Sequence, residues 1–188
     1  TRINILIEMG AYYQYVNPDS ALYFHQQAAD LADKILDEFN QMTENQIAII
    51  ELKKALAFRE MGWDYLVKGD YELAHEFLSK GILIAEKYIS PPTHPIIQQK
   101  ANYLYSAMLG NKGSVYRNQG NFAKSLECSF KALEIDEETG DLVGQAKTIG
   151  NIGSVYVSQG DYPKALEYYY KALKMDEQTG NISGPAAN

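Results

Sequence analysis

The chain has 188 residues, a net charge of −7 and a pI of about 5.0, with 46% apolar and 22% charged residues. This balance is typical of a soluble folded protein, and the length suits one domain or a short repeat array. The acidic charge argues against a nucleic-acid partner, which needs a basic surface. No apolar run is long enough to span a bilayer, so we expect no membrane insertion by this segment.

Apolar residues recur at steps of three and four along the chain, which predicts helices and no strands. The expected helices lie near residues 2–16, 18–39, 44–68, 71–88, 95–118, 122–138, 142–159 and 162–178. Gly160 suits the left-handed conformation just past a helix end, and Asp161 can cap the next helix with Pro163 in its first turn. The proline-rich segment 90–95 is a helix breaker between the fourth and fifth helices.

An internal repeat organises these helices in pairs. Residues 111–148 align with residues 151–188 without a gap, and 19 of the 38 pairs are identical. A weaker copy begins at Met61, with about eleven extra residues before the next copy, and the weakest copy begins at Met9. A single helix pair cannot bury its apolar face alone, so the pairs are expected to stack on one another.

The residue pattern of the last unit resembles the tetratricopeptide repeat. Its apolar, small and aromatic positions are Ile149, Gly153, Tyr156, Gly160, Tyr162, Ala165, Tyr169 and Ala172. The resemblance implies an all-α fold, a right-handed superhelical solenoid of antiparallel helix pairs. Residues 1–188 would form a single array, with repeats at about 1–40, 44–90, 94–138 and 142–178, and with residues 182–188 as the start of a truncated fifth.

Two departures from the common repeat narrow the resemblance. The repeat is forty residues long, and Glu137 and Glu177 replace the usual closing proline. Both features resemble the longer subclass in kinesin light chain and in adaptors that bind spindle-orientation partners. The segments 17–23 and 159–169 look most like arrays in bacterial signalling proteins, which precede a membrane helix and a histidine kinase or nucleotide cyclase, or a helix-turn-helix regulator. We therefore expect a soluble segment, cytoplasmic or periplasmic, of a longer protein.

Asn111 and Asn151 are the first candidate binding residues, because each lies two residues before a packing glycine. The resemblance implies that the first helix of each pair lines a concave groove, where such an asparagine holds the backbone of an extended peptide. A carboxamide donates and accepts at once, which suits a peptide unit. The alternative is that each asparagine bonds a neighbouring helix or is simply solvated. Helical periodicity places Ser114, Ser154, Arg117 and Lys147 nearby. The second unit offers Arg59 and Trp63 instead, so its part of the groove would be more aromatic. Trp63 could equally be a core residue.

The remaining reactive residue types indicate no catalytic or cofactor chemistry. The three histidines lack metal-ligand spacing, and the glycines form no phosphate loop. Cys128 is expected to be a buried, inert thiol. Five of the fifteen tyrosines fall at packing positions and are expected in the core: Tyr65, Tyr116, Tyr156, Tyr162 and Tyr169.

Two functions remain open from the sequence. The leading hypothesis is a protein- or peptide-binding scaffold or sensor segment of a larger signalling protein, without cofactor and without enzymatic activity. The alternative is a structural spacer or self-association arm with no specific ligand. Leu166 and Leu173, with Tyr162 and Tyr169 on the same helix face, predict end-to-end self-association through the C-terminal helices.

Overall fold

The computed structural model describes residues 1–39, 41–90 and 93–180, and within these ranges the chain forms helices and no strands. The eight helices are α1 (Arg2–Tyr13), α2 (Pro18–Glu38), α3 (Glu44–Lys68), α4 (Tyr71–Glu86), α5 (Pro95–Asn118), α6 (Phe122–Thr139), α7 (Leu142–Gln159) and α8 (Tyr162–Thr179). All eight predicted helices are present, although α1 and α4 end before the predicted residues 16 and 88. Residues 182–188, expected to open a fifth repeat, lie outside the described residues.

The helices form two layers. Each helix packs against the next along the chain, and α3 also contacts α1 and α5, while α5 contacts α7. The first helices of the pairs (α1, α3, α5 and α7) therefore form one layer, and the second helices (α2, α4, α6 and α8) form the other. This stacking of helix pairs is a tetratricopeptide-type solenoid. None of the described helices combines the length and apolar character needed to cross a membrane.

Short capped turns join the two helices of a pair. Gly160 ends α7 with φ of 79°, in the left-handed region, and Gly69 ends α3 with the same value. The Asp161 side chain then accepts a hydrogen bond from the Lys164 N–H and caps α8. Because these caps satisfy the free backbone groups at both helix ends, the reversal needs few residues. The predicted roles of Gly160 and Asp161 are confirmed.

One glycine in each unit marks the closest approach within a helix pair: Gly10, Gly62, Gly113 and Gly153. A Cβ atom added at Gly62 would lie 2.6 Å from Leu78 Cγ, and one at Gly153 would lie 3.0 Å from the Tyr169 ring. The facing second helices carry buried small residues at matching positions: Ala21, Ala74, Ser125 and Ala165. The glycine on the first helix and the small residue that faces it on the second therefore set the distance between paired helices.

A buried polar cluster joins the first unit to the second. His25 and Asp64 are both fully buried, and His25 Nδ1 lies 2.6 Å from Asp64 Oδ2. The Gln14 side-chain amide donates to Asp64 Oδ1 at 3.3 Å, and His25 Nε2 lies 3.3 Å from the Ile7 carbonyl oxygen. Sequence reasoning missed this role of His25, which fixes α1 and α2 against α3. No group of metal-ligating side chains occurs among residues 1–39, 41–90 and 93–180.

The core placement predicted for the tyrosines is only partly correct. Tyr65, Tyr116 and Tyr156 are partly buried, but Tyr162 and Tyr169 are 63% and 39% exposed. The prediction is wrong for these two because they lie on α8, which contacts only α7 among the described helices.

Cys128 is likewise partly buried, not fully enclosed as the sequence suggested. Burial raises the pKa of its thiol above the ordinary value, which favours the protonated and less reactive form. The expected inertness of this cysteine therefore has a physical basis even though its enclosure is incomplete.

Replacing Gly153 by leucine should lower the free energy of unfolding by about 1–3 kcal/mol, because the added side chain would meet Tyr169 and the Ala165 carbonyl oxygen. Urea unfolding followed by circular dichroism measures this change. Gly150→Leu is the matched control in the same helix, since a Cβ atom there meets nothing within 4 Å. Equal stability of the two variants would contradict the close approach at Gly153.

Replacing Asp64 by alanine should destabilise the protein by about 1–3 kcal/mol for each buried partner left without a hydrogen bond. Asp37→Ala on the exposed face of α2 serves as control and should change stability by less than about 0.5 kcal/mol. Thermal unfolding of both variants distinguishes them. If Asp64→Ala unfolds like the control, the cluster contributes nothing to the junction of the first two units.

Candidate functional site

The layer of first helices encloses a cavity of about 390 Å³, here called the central cavity. Residues from all four units line it, from Gln14 after α1 to Asn151 on α7. Seven of the eight predicted site residues lie on its walls: Arg59, Trp63, Asn111, Ser114, Arg117, Lys147 and Asn151. The eighth, Ser154, does not line it. The structure therefore brings together side chains that are separated by up to 92 positions in the chain.

The two asparagines offer unused hydrogen-bonding groups. Asn111 on α5 and Asn151 on α7 are partly buried, and neither side chain hydrogen-bonds to another described residue. Gly110 lies beside Asn151, since a Cβ atom added there would be in ordinary contact with Asn151 Nδ2 at 3.7 Å. Of the two readings from the sequence, a bond to a neighbouring helix is thus not seen in the described chain. Both carboxamides can donate to and accept from a ligand.

The basic side chains of the central cavity differ in their pairing. Arg59 forms an ion pair with Glu60, the neighbouring residue on α3. Arg117 and Lys147 form no salt bridge with any residue in the part of the chain that the structure describes. Two positive side chains at this cavity are therefore available for a direct ion pair with a ligand.

The two serines of the predicted site are held by the protein itself. Ser114 Oγ donates to the Gly110 carbonyl oxygen at 3.2 Å, and Ser154 Oγ is 3.1 Å from the equivalent Gly150 oxygen. Ser154 Oγ also lies 3.0 Å from the Tyr169 hydroxyl, which directs it towards α8. The serine hydroxyl at this repeat position thus hydrogen-bonds to a backbone carbonyl of its own helix.

Trp63 combines the two roles considered from the sequence. Its side chain is partly buried and packs against the main apolar core, yet it also lines the central cavity. The indole Nε1 is enclosed and has no hydrogen-bond partner among the described residues. Trp63 therefore supplies an apolar wall to the cavity while remaining anchored in the core.

A smaller cavity of about 220 Å³, here called the side cavity, continues from the central one between α5 and α7. The two share Ala107, Asn111, Lys147 and Asn151, and Asp136 also lines the side cavity. Asp136 is 2% exposed and accepts a hydrogen bond from Thr148 Oγ1 at 3.0 Å. Sequence reasoning missed this residue as a wall of the site. Its recurrence in the repeat as Asp176 was the available signal.

A third cavity of about 370 Å³, here called the apolar cavity, opens between α1, α3 and α5. Apolar side chains from α3 and α5 form most of its surface, and three of the lining side chains are basic. The complete lining is Asn4, Ile49, Leu52, Lys53, Leu56, Arg59, Lys100, Tyr103 and Leu104. Arg59 lines both this cavity and the central cavity, so the two adjoin.

Residues 104–178 match the family model of the tetratricopeptide repeat. This part of the chain is a tetratricopeptide repeat array. The matched range begins within α5 and extends through α6 and α7 to the last turn of α8, and it includes both asparagines of the central cavity. A comparison with curated proteins gives no match.

Solved structures share the fold of the whole array. Aspartyl phosphate phosphatase F from Bacillus subtilis matches 97% of this chain with a TM-score of 0.72 and 17% identity. BtubC (BKLC) from P. vanneervenii matches 99% with a TM-score of 0.66 and 16% identity, and MamA matches 96% with 0.55 and 18%. The chain spans 43% of the phosphatase, 67% of BtubC and 81% of MamA. At these identities the likeness shows a common tetratricopeptide-type architecture.

Charge is unevenly divided between the two layers of the array. The first helices carry nine lysine and arginine residues against five aspartate and glutamate residues, whereas the second helices carry seven against sixteen. The layer that contains the cavities is therefore basic within a chain whose net charge is −7. This division favours approach of an acidic ligand to the first helices and disfavours it at the second helices.

The Asp136 carboxyl should make stability depend on pH. Its burial raises the pKa of this group above the ordinary value, and the hydrogen bond from Thr148 opposes the shift. A raised pKa in the folded state means that the folded protein binds the proton more tightly than the unfolded chain. This contribution to stability is therefore present at low pH and lost as pH rises.

The Asp136→Asn variant isolates that contribution, because asparagine does not titrate. The free energy of unfolding of the native protein minus that of the variant should fall as pH rises from about 4 to 7. Urea unfolding at several pH values measures the difference, with Asp141 and Lys147 as the nearby charges. A constant difference would show that folding leaves the pKa of Asp136 unchanged, and a difference that increases with pH would show that folding lowers it; either result would contradict the raised pKa.

Proposed function

We propose that this array binds an extended segment of another protein along its first helices, with Asn111 and Asn151 hydrogen-bonding to the peptide backbone. The observation that carries the proposal is the pair of carboxamides, one on each of two adjacent first helices, without hydrogen bonds to the described protein. Removing such a carboxamide lowers the affinity of the protein for its ligand, because polar atoms of the ligand are then buried without hydrogen-bond partners.

The spacing of the two carboxamides suits an extended chain. Helices in direct contact have axes about 8–10 Å apart, and α5 contacts α7. An extended peptide advances about 3.3 Å per residue. Asn111 and Asn151 would therefore reach peptide units about three residues apart, so that a short linear segment engages both.

The charges favour an acidic segment as the ligand. Arg117 and Lys147 form no salt bridge with another described residue, and the second helices carry the acidic excess. Carboxylates of a bound segment would supply the missing partners inside a partly enclosed groove, where screening by salt is weaker than on an open surface.

The array would thereby act as a protein-interaction scaffold or as the sensor segment of a larger signalling protein. Support for a signalling context comes from the sequence motifs that resemble bacterial signalling arrays. Binding at the groove requires no enzymatic group on this chain.

A self-association arm without a specific ligand is the second candidate. Helix α8 favours it, because Tyr162, Leu166 and Leu173 are more than half exposed on its surface. Contiguous exposed apolar side chains often mark contact surfaces. Sedimentation at increasing concentration measures this association, and a monomer throughout would exclude it.

Replacing Asn151 by alanine should weaken peptide binding by about 1–2 kcal/mol. The ligands for this measurement are peptides selected from a random displayed library on the native protein, and fluorescence polarisation gives their affinities. Replacing Asn111 as well should add a similar loss, since the two residues lie on different helices. Asn118→Ala at the exposed end of α5 is the matched control.

The result that would overturn the proposal is a double variant that binds its selected peptides as tightly as the native protein does. Failure to select any peptide would also count against it and would favour the spacer or self-association role.

A further inference from the structure

The apolar cavity is a second concentration of binding features beside the carboxamide site. Leu52 and Leu104 form a buried floor, with exposed fractions of 4% and 6%. Ile49 and Tyr103 stand at its walls and are 38% and 54% exposed. Single exposed apolar residues are common on protein surfaces, but here they converge on one concavity. Its volume of about 370 Å³ is within the range of sites that enclose ligand groups.

Two lysines, Lys53 and Lys100, also line this cavity. Lys100 is exposed and has no salt-bridge partner among the described residues, and Lys53 donates to the Thr1 hydroxyl at 2.7 Å. Partial burial and the nearby charge of Lys100 lower the pKa of the Lys53 ammonium. Two like charges therefore face a shared space, and an anion placed between them would stabilise both.

One extended chain can reach this cavity and the carboxamides together. Arg59 lines both the apolar and the central cavity, and Tyr103 lines both the apolar and the side cavity. The apolar cavity thus lies beside the central cavity that carries Asn111 and Asn151, and it is lined by residues nearer the N-terminal ends of α3 and α5.

We propose that the apolar cavity receives one large aliphatic or aromatic side chain of the bound segment, and that Lys53 and Lys100 pair with an acidic residue next to it. The inference rests on the proposed peptide-binding function and specifies its ligand. The ligand is an acidic linear segment with a single apolar anchor. Backbone contacts at the asparagines would give affinity for extended chains in general, whereas the anchor and its acidic neighbour would select the sequence.

Selection from a random displayed peptide library on the native protein, at low ionic strength, provides the probes. The enriched peptides should share one leucine, isoleucine, phenylalanine or tryptophan beside aspartate or glutamate. Affinity of a synthetic enriched peptide, measured by fluorescence polarisation, should fall about tenfold in Ile49→Gln and in Lys100→Glu. Replacing the peptide's apolar residue by alanine should cause a similar loss, and this loss should largely disappear in Ile49→Gln.

Charge reversal gives a second readout that a folding defect would not reproduce. A peptide in which the acidic neighbour is replaced by lysine should bind Lys100→Glu better than it binds the native protein. Matched controls are Ile96→Gln, an exposed isoleucine on α5 outside the cavities, and Lys174→Glu on α8. Both controls should retain native affinity for the enriched peptide.

The outcomes separate this inference from the proposed function. Peptides whose affinity depends on Asn111 and Asn151 but not on Ile49 or Lys100 would contradict the anchor site and would still support binding at the carboxamides. Peptides whose affinity depends on Ile49 and Lys100 alone would contradict the carboxamide contacts and would still support the anchor site. Enriched peptides that are basic or lack a shared apolar residue would overturn the inference, and no enrichment at all would overturn both proposals.

Discussion

The close approach of the two helices in each pair is the constraint on which the rest of the array depends. A glycine on the first helix faces a small residue on the second in every unit, as at Gly62 with Ala74 and at Gly153 with Ala165. The side chain one turn further along the second helix differs between units: His25, Leu78, Ser129 or Tyr169. Because the approach is the same while the contacting side chain varies, the pairs stack regularly and still acquire individual contacts.

Because the stacking is regular, the side chains that line the groove can differ from unit to unit. The repeat position occupied by Asn111 and Asn151 carries Glu60 in the second unit, where Arg59 neutralises it. The carboxamides are therefore confined to α5 and α7. Nearer the N-terminal ends of α3 and α5, an apolar cavity that includes basic side chains adjoins this surface. A ligand that spans both cavities would meet backbone-binding groups in one and a pocket for a side chain in the other.

The sequence predicted those features of the fold that depend on local residue patterns or on the repeat. Helix bounds follow from the apolar period, the turn glycines and the capping residues, and the repeat register brings Asn111 and Asn151 to one surface. The His25–Asp64 contact joins residues 39 positions apart in different units, and no repeat marks it. The apolar cavity likewise combines three helices through side chains that do not recur. The core placement predicted for Tyr162 and Tyr169 is wrong because the repeat register applies to a helix that is packed on both sides. Among the described helices, α8 contacts α7 alone.

Peptide binding along the groove requires a ligand that reaches the asparagine side chains on the first helices. The most direct measurement records the side-chain amide resonances of Asn111 and Asn151 by nuclear magnetic resonance while an acidic, library-selected peptide is added. Both pairs of resonances should shift with the same saturation curve, while those of Asn118 stay in place. Shifts confined to the second helices, with Asn111 and Asn151 unchanged at saturation, would contradict the account.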